Sequence, residues 1–125
     1  MEVSRVRKLI GIAAVGLLAF AAVHPQGPTL AAAPDGAAIY ASKCVSCHKA
    51  DGKGGGPFPA LAGNAGVTAK DPSAMIAETV KGKGLMPAYG GKLSNAEIAA
   101  VLTYVRSSWG NNASAITEAQ VAAAK

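Results

Sequence analysis

Residues 44–48 read CVSCH, and these are the only two cysteines in the 125-residue chain. Two thiols three positions apart, with an imidazole directly after the second, restrict this chain more than any local propensity does. Three chemistries use such a cluster: half of a zinc site, a redox-active dithiol, or covalent attachment of haem. Each makes its own demand on the rest of the sequence.

A closed zinc site needs four ligands, typically Cys or His. Beyond residue 33 the chain offers Cys44, Cys47 and His48 and no other Cys or His, since His24 lies upstream. The adjacent Cys47 and His48 would also have to bend around one ion. A thioredoxin-like dithiol asks for a βαβ context, and no alternating, period-2 segment is present. A structural disulfide is permitted only outside the cytoplasm. Haem attachment needs a helix on which the two-residue gap matches the spacing of the two vinyl groups. His48 then falls under the iron, and a second axial ligand must come from elsewhere. It also needs export, because the attachment is completed outside the cytoplasm.

The N-terminus meets the export demand. Arg5, Arg7 and Lys8 precede the apolar run LIGIAAVGLLAFAAV from Leu9 to Val23, the pattern of a secretory signal. Ala31–Ala33 offer a cleavage site before Pro34, and cleavage near Ala21 or Val23 is the alternative. A retained membrane anchor also stays open, although fifteen apolar residues fall short of the roughly 20 that span a bilayer. Residues 1–33 are thus read as signal or anchor, and 34–125 as one domain lying in the periplasm or on the outer face of the cytoplasmic membrane.

Without Arg5, Arg7, Lys8 and Glu2, the 12 basic and 7 acidic residues fall to 9 and 6, a net charge of +3. That balance does not call for nucleic acid, and no aromatic residues interleave with the basic ones as in a single-strand binder. It suits a soluble protein that meets an acidic partner. The remaining 92 residues are few for a self-sufficient core, and the whole chain has only two Phe, three Tyr and one Trp. A large apolar cofactor at the centre would supply the missing interior.

Four segments read as helical, joined by Gly/Pro-rich loops, so the fold class is all-α. The first runs from Gly36 to Cys47 with Asp35 as N-cap. The second spans Pro72 to Lys81, with Asp71 as cap, Pro72 at the first position and Gly82 as the stop. The third lies in LSNAEIAAVLTYVRSSWG, where Ser94 and Glu97 form a capping box and Ile98, Val101, Leu102 and Val105 recur at helical spacing. A fourth starts near Thr117, again with a capping-box pattern to Gln120. The stretch after Gly110 reads either as a packed last helix or as a frayed end. Long loops in so small a chain need something to wrap around.

Two methionines compete for the sixth position. Met75 sits at core spacing within the second helix, where a thioether is usually filler. Met86 lies in KGKGLMPAYGG, where glycines let the backbone arch close to a porphyrin face and Pro87 limits its freedom. Met86 is therefore the expected partner of His48, giving the Met/His set of electron-carrying cytochromes c. In GGGPFPALAG, the Pro59 carbonyl is the expected acceptor for the second ring nitrogen of His48, with Leu61 packing on the haem. Tyr89 and Trp109 are candidates for contact with the haem carboxylates.

CVSCH, PALAG, LMPAY and LSNAEIAAVLTYVRSSWGN, in that order over Gly36 to Asn111, resemble a class I mono-haem bacterial cytochrome c. The C-terminal TYVRSSWGN is similar to the cytochrome domains of quinoprotein alcohol dehydrogenases and haem-copper oxidases. The resemblance implies one covalent haem c bound through Cys44 and Cys47, with the N- and C-terminal helices crossing around it. It also implies that Gly36 and Tyr40 meet Leu102 and Tyr104 or Val105, although the N-terminal helix here is short.

The function expected is one-electron carriage in an exported respiratory or dehydrogenase-linked chain, without an enzyme's catalytic constellation. A tethered subunit of a membrane oxidoreductase, held through residues 1–33, is the alternative. A haem enzyme or sensor would require an open sixth position. Lys43, Lys49, Lys53, Lys81, Lys83 and Lys92 cluster in sequence around the two ligand segments and would steer donor and acceptor proteins with acidic docking faces.

Overall fold

The computed structural model describes residues 32–125; the segment 1–31, and with it most of the signal or anchor read at 1–33, lies outside the described residues. Six helices follow in order: α1 (Gly36–Lys43), α2 (Val45–His48), α3 (Ala65–Thr68), α4 (Ser73–Lys81), α5 (Asn95–Ser107) and α6 (Glu118–Ala122). Among the described residues there is no strand, only isolated bridges pairing Gly55 with Phe58 and Lys83 with Met86. No described helix is long and apolar enough to cross a membrane. The all-α reading holds.

The caps explain where the helices begin. The Asp35 carboxylate accepts from the backbone N–H of Ala37 at 2.9 Å and of Ala38 at 3.2 Å. Ser94 and Glu97 exchange reciprocal hydrogen bonds of 2.7 and 3.1 Å at the start of α5. Thr117 and Gln120 form the same box on α6, and each box satisfies donors that the first turn would otherwise orphan. The Asp71 carboxylate accepts from Ser73, so α4 starts one residue later than expected, with Pro72 in the cap position.

Two helices depart from the four expected. The segment Gly36–Cys47 divides at Cys44, where φ is −115°, although Cys44 still donates to Tyr40 and accepts from His48 at 2.9 Å. The helical track therefore carries on to His48. The second addition, α3, is a single turn capped by Asn64, whose side chain accepts from Gly66 and Val67. Four residues are too few to display a helical period.

The packing is centred on α5. Ile98, Val101, Leu102 and Val105 are buried along it, together with Tyr40 of α1, Ile76 and Val80 of α4, and Val121 of α6. Helix α1 packs against α5, and α6 packs against both α4 and α5. The tail after Gly110 is thus a packed element whose Ile116 and Val121 are buried. Gly36 makes the α1–α5 approach possible, since a Cβ there would run into the Ala100 carbonyl and the Tyr104 Cβ. Tyr40 completes the contact, its ring 5.4 Å from that of Tyr104 and 5.1 Å from that of Trp109. Of the expected α5 partners, Tyr104 takes this place. Leu102 and Val105 belong to the same buried cluster as Tyr40 and also line a cavity.

Candidate haem site

That cavity lies between the CVSCH segment, the loop 57–64, α4, α5 and the loop carrying Met86. It consists of two adjoining hollows of about 170 and 340 Å³. Cys44, His48, Pro59, Glu78 and Met86 stand in the walls of both. Together they fall in the size range of small-molecule and cofactor sites, roughly 300–1,000 Å³. The inner hollow is walled largely by Leu61, Val67, Met75, Val101, Leu102 and Val105; the outer one opens past Cys47, Phe58, Leu85 and Tyr89.

All six residues singled out in the sequence, Cys44, Cys47, His48, Pro59, Leu61 and Met86, line this cavity. The turn of α2 presents Cys47 and His48 side by side, with Cys44 at its start. His48 is 9% exposed, and its Nδ1 lies 2.9 Å from the Pro59 carbonyl oxygen. Nε2 makes no hydrogen bond within the described residues. A histidine whose Nδ1 is tied to a carbonyl has its tautomer and ring plane set, with Nε2 left for a metal.

Local hydrogen bonds explain how Pro59 comes to stand behind His48. Lys49, directly after the motif, adopts φ +65°, and its carbonyl accepts from the Tyr40 hydroxyl at 2.7 Å. Burial pushes that hydroxyl up to about 12, so it remains a donor at neutral pH. The chain then doubles back: Gly54 donates to the His48 carbonyl, and Leu61 and Ala62 both donate to Gly52. Gly54, at φ +61°, lies so close to Phe58 and Pro59 that a Cβ would collide with their carbonyls.

The two methionines separate by environment. Met75 packs against the buried core cluster, whereas Met86 stands in both parts of the cavity and outside that cluster. Lys83 and Met86 exchange two backbone hydrogen bonds of 3.0 Å, closing a tight turn directly after α4. Burial, and then the neighbouring Cys47, push the Cys44 thiol up to about 11. Among the described residues there is no cluster of three His, Cys, Asp or Glu placed to hold a metal ion. The donor set therefore falls short of a four-ligand zinc site. It fits haem: two thiols on one turn, an oriented imidazole, a thioether in the same cavity and apolar walls.

Two contributors, Asn111 and Glu78, were not legible in advance; of the two aromatic candidates, Tyr89 lines the cavity and Trp109 does not. Asn111 is buried; its Oδ1 accepts from Gly63, and its Nδ2 donates to the Leu61 and Val105 carbonyls at 3.0 and 2.9 Å. It ties the Pro59–Gly63 loop to the end of α5. Glu78 stands in the cavity wall and pairs with Lys83 at 2.6 Å. Tyr89 lines the outer hollow and donates to the Lys43 carbonyl at 3.0 Å. Trp109 lines neither hollow; its indole N–H donates to the Ala50 carbonyl. Asn64 alone offers a local signal, an amide that caps N–H groups two and three residues on.

The sequence model of a family described as cytochrome c oxidase, cbb3-type, subunit III matches residues 31–105. The chain is 38% identical over 98 residues to the fructose dehydrogenase cytochrome subunit of Gluconobacter japonicus, covering 66% of this chain and 20% of that protein. It is 37% identical over 91 residues to the cytochrome c subunit of the quinone alcohol dehydrogenase of Gluconobacter oxydans (strain 621H), covering 62% and 19%. The chain thus spans about a fifth of the length of these dehydrogenase subunits. Against the cytochrome c6 of Picosynechococcus sp. it is 37% identical over 117 residues, covering 85% of this chain and 97% of that one. The chain therefore belongs to the cytochrome c family, in the group of the cbb3-type subunit III model, and its cofactor is covalently attached haem c.

Proposed function

We propose that the protein is an exported one-electron carrier whose haem is joined through Cys44 and Cys47 and held axially by His48 Nε2 and Met86 Sδ. The observation that carries this reading is the hydrogen bond of His48 Nδ1 to the Pro59 carbonyl at 2.9 Å, in a cavity that Met86 also lines. Bound haem supplies one reversible electron, through the ferric and ferrous states of its iron. The residues of the chain supply the rest. Pro59 fixes the ring of His48, Leu61 and Val101 exclude water, and Met86 would hold the iron where oxygen or peroxide would otherwise bind. With His48 and Met86 both holding the iron, the site would carry electrons rather than act on a substrate.

The test is optical. The oxidised protein carries a Met-to-iron charge-transfer band, which Met86→Ala abolishes and Met75→Ala leaves intact. A wild-type protein without the band, or a band lost in Met75→Ala alone, overturns the assignment. A haem-stained denaturing gel checks the thioethers, because only linked haem stays with the unfolded chain.

A second reading is favoured by the relatives that are cytochrome subunits of dehydrogenases. In that reading the domain is tethered through residues 1–33 and relays electrons within a membrane oxidoreductase. Sequencing the mature N-terminus and fractionating membranes separate the two: a chain beginning near Pro34 in the soluble fraction is the free carrier. In either case the partner is a redox protein, and the lysine-bearing mouth of the cavity favours one with an acidic docking face.

A further inference from the structure

Arg106 on α5 is 1% exposed and makes no ion pair; among the described residues the one salt bridge joins Lys83 to Glu78. Its guanidinium is held by neutral oxygens only. Nε donates to the Ser114 carbonyl at 2.7 Å, one terminal nitrogen to the Val67 and Ala69 carbonyls at 2.6 and 3.1 Å, and the other to the Ser114 hydroxyl at 3.1 Å. Guanidinium groups do not deprotonate in proteins, so a full positive charge is locked inside the molecule. Burying an ion without a counter-ion is costly, and a Leu or Met would fill the space without that penalty.

The charge stands directly behind the haem cavity. Val67, whose carbonyl accepts from it, and Val105, its neighbour on α5, both line the inner hollow. Val67 and Val105 form this part of the cavity wall, and solvent screens such a buried charge little. A positive charge there disfavours whichever cofactor state is the more positive, which is the ferric one. We infer that Arg106 is an electrostatic tuning residue that raises the reduction potential of the haem. This deepens the carrier reading and rests on haem occupying the cavity. The tail acquires a purpose as well, since Ser114 supplies two of the four bonds that keep the cation in place.

The test uses the haem-loaded full chain and reads the midpoint potential. Arg106→Gln removes the charge but keeps a donor. The midpoint is expected to fall by the equivalent of a several-fold to tenfold change in the ferric-to-ferrous equilibrium, tenfold being about 59 mV for one electron. Arg106→Lys loses most of the same hydrogen bonds, keeps the charge, and should stay near the wild-type value. Because Arg106→Gln could fail to fold, Ser114→Asp provides a second arm. It leaves Arg106 in place and sets a carboxylate against it, and should also lower the midpoint. Ala115→Asp, at an exposed neighbouring position, is the control and should not.

Equal midpoints in wild type, Arg106→Gln and Ser114→Asp, with haem retained, overturn the inference. So does a drop in Arg106→Lys as large as in Arg106→Gln, or in Ala115→Asp as large as in Ser114→Asp. Absence of linked haem from the wild-type protein would instead overturn the carrier reading itself.

Discussion

At His48 the orienting acceptor is a backbone oxygen, so no side-chain deletion removes it; the residue that controls it is Gly54. An alanine at Gly54 would be strained at φ +61° and would press on the Phe58 and Pro59 carbonyls. We expect Gly54→Ala to cost about 1–3 kcal/mol in denaturant unfolding and to speed solvent exchange of the His48 Nδ1 proton in NMR spectra. A weaker bond makes the imidazole a poorer donor and ferric iron less stable, so the midpoint should rise. Unchanged exchange would mean that Pro59 does not depend on Gly54. That Cys44, Cys47, His48, Pro59, Leu61 and Met86 gather around one cavity was foreseeable at this scale, because each was named from residues near it in the chain. Arg106 and Asn111 were not. Their partners Val67, Ala69, Leu61 and Gly63 lie 37 to 50 positions away, and nothing local distinguishes them from solvated polar residues of a helix end and a turn.

Among the elements, the pairing of α1 with α5 holds the frame on which the two thiols and the histidine sit. Gly36→Ala should lower stability by about 1–3 kcal/mol through overpacking against Ala100 and Tyr104. A lower melting temperature with the Met-to-iron band retained is the expected result; full wild-type stability would show that the helices part at little cost. The starts of α1, α5 and α6 were legible because capping is a contact between residues two or three apart. The break at Cys44 and the single turn of α3 were not, since both are set by what packs around them. The facing of α5 was only half legible. Periodicity identified the buried residues, but one apolar stripe had to serve two neighbours, and only the packing shows that Tyr104 meets Gly36 and Tyr40 while Leu102 and Val105 also line the cavity.

For the molecule as a whole, the question is where electrons leave. Lys43 and Lys83 stand in the wall of the outer hollow beside Leu85, which is 71% exposed, and Lys92 lies over the ring of Tyr89 in the same wall, while Lys49, Lys53 and Lys81 are exposed elsewhere. The Lys83–Glu78 pair, between an exposed lysine and a partly exposed glutamate, contributes little to stability. Electron exchange with an anionic reagent such as ferrocyanide should slow several-fold between about 10 mM and 1 M salt, where the Debye length falls from about 30 to 3 Å. A neutral reagent should show no such trend, and a flat profile with ferrocyanide would remove the case for steering. The covalent and local facts were complete in the amino-acid order: a CxxCH attachment motif, a flexible loop with one methionine, helix caps, and a core too small for its length. These depend on bonds and on neighbours a few residues apart. The field inside the cavity was settled by the fold alone. It depends on which distant groups are brought behind the apolar wall and shut off from water, and the buried, carboxylate-free Arg106 is the clearest case.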